Sequence, residues 1–201
     1  MKYGTTPMGA IETMMINLGD IEMGKFLKLP THAYMSLSDS KIPDCQAGFE
    51  AGMGALLGGL AGINMISGPG MLDFESTQSI EKLIIDNEIV GMVKRFIGGI
   101  EDYGAPFASE ILKDYEDKEE LLSHPSTLKY FRKELFFPSP IIDRMTRDSW
   151  REQGSKSTRK RARKEASKLL GKPPLKPIDE SLKKQFDKIA STYVKINHFE
   201  K

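Results

Sequence analysis

Two short stretches concentrate the side chains that could recognise or act on a ligand. Ser36-Leu37-Ser38-Asp39-Ser40-Lys41-Ile42-Pro43-Asp44-Cys45-Gln46 packs two carboxylates, a lysine, hydroxyls, a thiol and an amide into one turn. Ser67-Gly68-Pro69-Gly70-Met71-Leu72-Asp73-Phe74-Glu75-Ser76 adds further carboxylates and an aromatic ring. Its Met71, Leu72 and Phe74 are apolar loop residues, which normally bury against something. Each stretch follows a short apolar run, and parallel α/β folds bind ligands there, beyond the carboxyl ends of their strands. Plainer roles also fit. Asp44 could cap the helix that begins at Gln46, Asp39 could make an Asx turn, and Lys41 could be solvated; Ser76 or Thr77 could cap the next helix. Cys45 at a helix start could serve as a nucleophile, yet no histidine partner lies near it in sequence, and a lone cysteine is more often inert. Gly68-Pro69-Gly70 lacks the spacing and the lysine of a phosphate-binding loop. His32, His124 and His198 stand far apart with no Cys or Glu at ligand spacing, which argues against zinc.

These loops need elements to hold them. Ile11, Met14, Met15, Leu18, Ile21 and Phe26 recur at helical spacing over residues 11–27, and Pro30 ends that helix because the residue before a proline leaves the α region. Residues 32–37 read as a strand, 46–61 as a helix, 63–66 as a second strand and 77–100 as a helix. In the last, Ile80, Leu83, Ile84, Val90, Val93, Phe96 and Ile97 are expected to face the core. An α-β-α-β-α order argues for parallel strands with crossover helices. Gly48, Gly52, Gly54, Gly58 and Gly59 suit a helix whose backbone comes close to a sheet. Two strands cannot close a barrel, and a parallel pair needs both faces covered, so the chain is expected to be incomplete.

The 201 residues carry 29 basic and 28 acidic side chains, a balance that points neither to nucleic acid nor to a membrane. A single cysteine suits a reducing cytoplasm. No apolar signal core follows Met1, and the weakly polar 47–69 stretch is Gly-dense and broken by Glu50 and Asn64. From Glu101 onward charge rises and prolines multiply, so residues 1–103 read as scaffold and 104–201 as a helical extension. Its helices are expected over 105–115, 118–122, 127–135, 144–152, 157–170 and 180–194, with Asp179 capping the last and Gly171 closing the one before. The tract Lys156, Arg159, Lys160, Arg161, Arg163, Lys164 and Lys168 would form a helix positive on most faces with little core stripe. A solvated helix or a contact with an acidic protein suits it better than nucleic acid, since no aromatic is interleaved.

Residues 38–50, 68–75 and 81–96, with the later His124-Pro125, Phe136-Phe137-Pro138-Ser139 and Asp143-Arg144, together resemble the carboxy-terminal third of the trimethylamine methyltransferase family. The likeness runs collinearly through most of residues 3–153. It implies a (β/α)8 TIM barrel of which this chain holds the last two βα units, followed by a mostly helical tail. It also implies transfer of a methyl group from a tertiary or quaternary amine to the Co(I) centre of a corrinoid protein. Some members carry pyrrolysine in the barrel mouth; this chain has only standard residues and is similar to the branch without it, whose substrates include betaines. On that reading Asp39, Lys41, Asp44, Gln46, Asp73 and Phe74 are the candidate substrate-binding residues, because a trimethylammonium head is held by ring faces and carboxylates. No catalytic residue is singled out. The corrinoid would be carried by the partner protein and not by this chain. Further partners would be a small methylated amine and a second copy or another chain completing the barrel. The runner-up is a non-catalytic interaction protein that uses the basic 156–168 helix for nucleic acid or an acidic partner.

Overall fold

The computed structural model describes residues 4–104, 118–173, 176 and 178–197. The helix expected over 105–115 and His198 lie outside them. The chain divides into two compact units between Ala166 and Ser167.

Helix α1 (Ile11–Phe26) buries Met14 and Ile21 and ends as expected before Pro30, with Lys28 in a left-handed turn at φ 57°. Strand β1 (His32–Ala33) pairs in parallel with β2 (Met65–Ile66), His32 opposite Met65 and Ala33 opposite Ile66. Thr31 and Asn64 lock the entry to this pair, the Thr31 amide donating to Asn64 Oδ1 at 2.9 Å. Burial alternates from Thr31 to Met35, as in a strand, although the ladder holds for two residues only. The reason is local. Ser36 turns left-handed at φ 66°, and β2 runs into Gly68-Pro69, where proline has no amide to donate.

Helix α2 (Cys45–Leu60) starts on Asp44, whose side chain accepts the Ala47 amide, so the capping role anticipated for Asp44 is real. The close approach expected of its glycines holds in part. A Cβ on Gly54 would stand 2.7 Å from the Ser36 amide nitrogen and one on Gly58 2.9 Å from the Ile66 side chain of β2, whereas Gly59 is crowded by the Val93 side chain and not by a strand, and Gly48 and Gly52 face open space. Helix α3 (Ile80–Ile97) is capped by Ser79, not by Ser76 or Thr77. The chain reaches it through an antiparallel hairpin, β3 (Met71–Leu72) with β4 (Thr77–Gln78), where a plain loop was expected. Ala51 and Ala55 of α2 pack against Ile89 of α3, flanked by Ile85 and Val93; Met14, Ile21, Ala33 and Met35 form a second cluster.

The inward face of α3 departs from the expectation. Ile80, Leu83, Phe96 and Ile97 are exposed, while Lys82, Asp86 and Ile89 are buried. Positions 82, 86, 89 and 93 share one helix face, and the two charges can lie inside because they neutralise each other.

The helices beyond are α4 (Lys118–Ser123), α5 (Pro125–Glu134), α6 (Arg147–Glu152), α7 (Thr158–Leu170) and α8 (Glu180–Asn197). Glu88 of α3 accepts the Ser139 amide, and Arg95 pairs with Glu134 at 2.5 Å, so the segment after α5 is fastened to α3. Helix α7 has more of an inward stripe than its charge suggested: Ala162 and Ala166 are buried, Arg161 bonds the Ile141 carbonyl, and Arg163 pairs with Glu81. Gly171 follows it with its amide on the Ser167 carbonyl. Asp179 caps α8, accepting the Ser181 amide at 2.9 Å. No helix among the described residues is long and apolar enough to cross a membrane.

Candidate functional site

The first loop leaves the carboxyl end of β1 and the second leaves the carboxyl end of β2, so a parallel pair sends both to the same side. They are stitched together through backbone. The Ser38 amide donates to the Met71 carbonyl at 3.1 Å, and the Asp73 amide donates to the Ser40 carbonyl at 2.9 Å. The stitching requires close approach. A Cβ on Gly68 would overlap the Met35 carbonyl.

Beneath the stitched loops lies a buried charge pair. Lys82 Nζ donates to Asp86 Oδ2 at 2.5 Å and to the Ser36 carbonyl at 3.3 Å; Asp86 Oδ2 also accepts the Gly70 amide at 2.6 Å. One carbonyl belongs to the first loop and one amide to the second, so the pair braces both. Burial pushes the Asp86 carboxyl above its ordinary value, opposed by the neighbouring Lys82 charge. The Ser36 hydroxyl is shielded and has no hydrogen-bond partner among the described residues. Sequence reasoning missed this pair. Its available signal was the i,i+4 Lys82–Asp86 spacing on the face that also carries Ile89.

At the surface of the loops, three of the candidate residues converge. Lys41 Nζ lies 3.8 Å from the centroid of the Phe74 ring, 3.4 Å from Asp73 Oδ1, and donates to the Asp39 carbonyl at 2.8 Å. Asp73, Phe74 and Glu75 are all left-handed, with φ of 51°, 53° and 71°. Side-chain-bearing residues visit that region singly as a rule and at a cost of about 1–2 kcal/mol each, so a run of them is held by its surroundings. The Ser76 amide on the Asp73 carbonyl and the Asp73 amide on Ser40 supply that hold.

The other candidates have inner roles. The Asp39 side chain is almost buried and accepts the Gly9 amide at 2.9 Å; burial raises its pKa, the Glu50 charge adds to the rise, and the Gly9 amide opposes it. Glu50 in turn accepts from the Ser38 hydroxyl, the Asp39 amide and the Gln46 side chain, so Gln46 joins the cluster through Glu50. Asp44 is occupied at its cap. The Ala47 amide, and then the Ser40 hydroxyl, hold its carboxyl below the usual value. Cys45 is exposed in the first turn of α2.

Chemically, the surface of this loop pair offers an aromatic face beside a carboxylate, with a cation already seated on both. That geometry lies within a stretch shared with known proteins. The chain is 36% identical over 187 residues to the trimethylamine methyltransferase MttB of Methanosarcina thermophila, covering 92% of this chain and 38% of that protein. It is 32% identical over 182 residues to the MttB of Desulfitobacterium hafniense strain DSM 10664 / DCB-2, covering 90% and 36%. It is 27% identical over 187 residues to a glycine betaine methyltransferase of D. hafniense strain Y51, covering 90% and 39%. The chain thus spans well under half the length of these relatives. The family model described as trimethylamine methyltransferase (MTTB) matches residues 1–193, which takes in both loops and the brace beneath them, and the chain belongs to that family.

Proposed function

We propose that residues 1–103 supply the last two strand–helix units of a (β/α)8 barrel, with 104–201 as its helical extension. The whole protein moves a methyl group from a tertiary or quaternary methylated amine to the Co(I) centre of a corrinoid protein. The supporting observation is the Lys41–Phe74–Asp73 contact at the carboxyl ends of a parallel strand pair, the end where barrels of this kind keep their sites. An ammonium on a ring face beside a carboxylate is how a methylated nitrogen with no N–H is held.

The corrinoid supplies the cobalt nucleophile and accepts the methyl group. The residues of this chain have the task of holding the amine so that one N–CH3 bond points out of the mouth, and of keeping water off it. Phe74 and Asp73 hold the positive nitrogen. Asp39, Lys41, Asp44 and Gln46 belong to the same substrate-binding rim, setting the shape and charge of the loop that carries it. Reading the chain as part of a barrel also accounts for the strand face opposite α1 and α2, where His32, Tyr34 and Met65 are exposed. Parallel strands are normally covered on both sides.

The test uses the chain together with the missing strand–helix units, supplied as one longer protein or as a second chain. Consumption of Co(I) cobalamin is followed spectrophotometrically with trimethylamine and with betaines as donors. Asp73→Ala and Asp39→Ala are each expected to abolish transfer, and turnover equal to that of the unaltered protein would remove the assignment.

A further inference from the structure

We propose that Lys41 is a tethered competitor: its ammonium fills the Phe74–Asp73 cation box, and a methylated ammonium ligand binds by displacing it. The inference rests on the cation-site reading above. Lys41 Nζ uses the ring face at 3.8 Å and the Asp73 carboxylate at 3.4 Å, the two features a quaternary ammonium would use. The two cations differ in what else they need. A lysine ammonium has three N–H donors to satisfy, and here one goes to the Asp39 carbonyl; a quaternary ammonium has none.

The resident is loosely held. The Lys41 side chain is 61% exposed and Asp73 37%, so their attraction is screened by water, and a flexible four-carbon stem lets Nζ swing away. The box is firmly held: the Asp73 amide on the Ser40 carbonyl and the Ser76 amide on the Asp73 carbonyl fix the left-handed run 73–75. Next in sequence, Glu75 adds a second carboxyl to the same turn, and its Oε1 is shielded with no hydrogen-bond partner among the described residues. A mobile resident over a fixed box acts as a filter. A primary ammonium gains nothing by replacing a primary ammonium; a methylated one, less strongly hydrated, gains on the ring.

Calorimetric titration of the 201-residue chain with tetramethylammonium chloride, at constant ionic strength against sodium chloride, tests this. Lys41→Gln and Lys41→Met are expected to bind about tenfold more tightly than the unaltered chain, the size of effect that loss of one exposed ring contact and ion pair supports. Lys41→Arg, which keeps a cation on the ring, is expected to bind as the unaltered chain does. Adding Phe74→Ala to Lys41→Gln is expected to erase the gain. Equal or weaker binding by Lys41→Gln and Lys41→Met, or no binding by any variant, overturns the competitor; a gain that survives Phe74→Ala overturns the box. No arm requires methyl transfer. A completed enzyme that transfers no methyl leaves the titration readable, and a failed titration beside an active enzyme removes only the competitor.

Discussion

Asp39 and Asp44 share one loop and shift in opposite directions, which gives each a distinct stability signature. For Asp39 the folded pKa lies above the ordinary 3.8, so the folded chain keeps its proton to higher pH than the unfolded chain does. Stability therefore falls as pH rises through the folded value, and the whole cost is present at neutral pH. Asp39→Asn keeps an acceptor for the Gly9 amide and removes the charge. It is expected to raise the urea midpoint at neutral pH and to match the unaltered chain in acid. For Asp44 the folded pKa lies below 3.8, so its contribution is present above that value and is lost as pH falls through the folded one. Asp44→Asn is expected to lower the midpoint at neutral pH and to flatten the acid limb. The Lys82–Asp86 pair makes a larger claim, since both side chains are 1% exposed. Removing one member strands a buried charge, so Lys82→Met is expected to cost about 3–5 kcal/mol in urea unfolding, and Lys82→Met with Asp86→Leu distinctly less. The loop residues were legible in the sequence as a polar cluster after a strand. The brace was not, because a lysine on a helix normally reads as solvated until a partner closes over it.

Among the elements, α2 shows where glycine is required and where it is incidental. Gly54→Ala would press on the Ser36 amide at 2.7 Å and is expected to cost about 1–3 kcal/mol as overpacking. Gly52→Ala meets nothing within 4 Å and is expected to stabilise by up to about 1 kcal/mol through helix propensity. Thermal unfolding of the two variants reads both signs in one experiment. The order of helices and strands was legible because apolar spacing changes from helical to strand-like at Pro30 and again near Ile63. The β3–β4 hairpin was not: its strands are two residues each, too short for any alternation to register, and its tip is built from residues that rarely turn left-handed. The inward face of α3 was misread for a related reason. Ile80, Leu83 and Phe96 follow a helical period as well as Ile89 and Val93 do, and periodicity alone does not say which stripe a partner covers.

At the scale of the molecule, large apolar side chains remain in water. Phe26 is 80% exposed, Phe49 73%, Ile16 66% and Met65 60%. Together with the exposed His32, Tyr34 and Met65 of the β1–β2 pair, these side chains suit the proposal that further strand–helix units cover this face, and the chain spans 38% of the length of the Methanosarcina thermophila relative. The chain alone is expected to bind a hydrophobic dye strongly and to sediment with concentration-dependent association. A chain supplying the other strand–helix units of the proposed barrel should suppress both; dye fluorescence that stays unchanged in its presence would count against that proposal.

The bonds from Ser38 to Met71 and from Asp73 to Ser40 have a dynamic consequence. Two strand-end segments zipped by main chain cannot open separately, because freeing either breaks the same pair of bonds. Amide hydrogen exchange at Ser38 and Asp73 is expected to proceed with one common lifetime, and Lys82→Met should shorten both together.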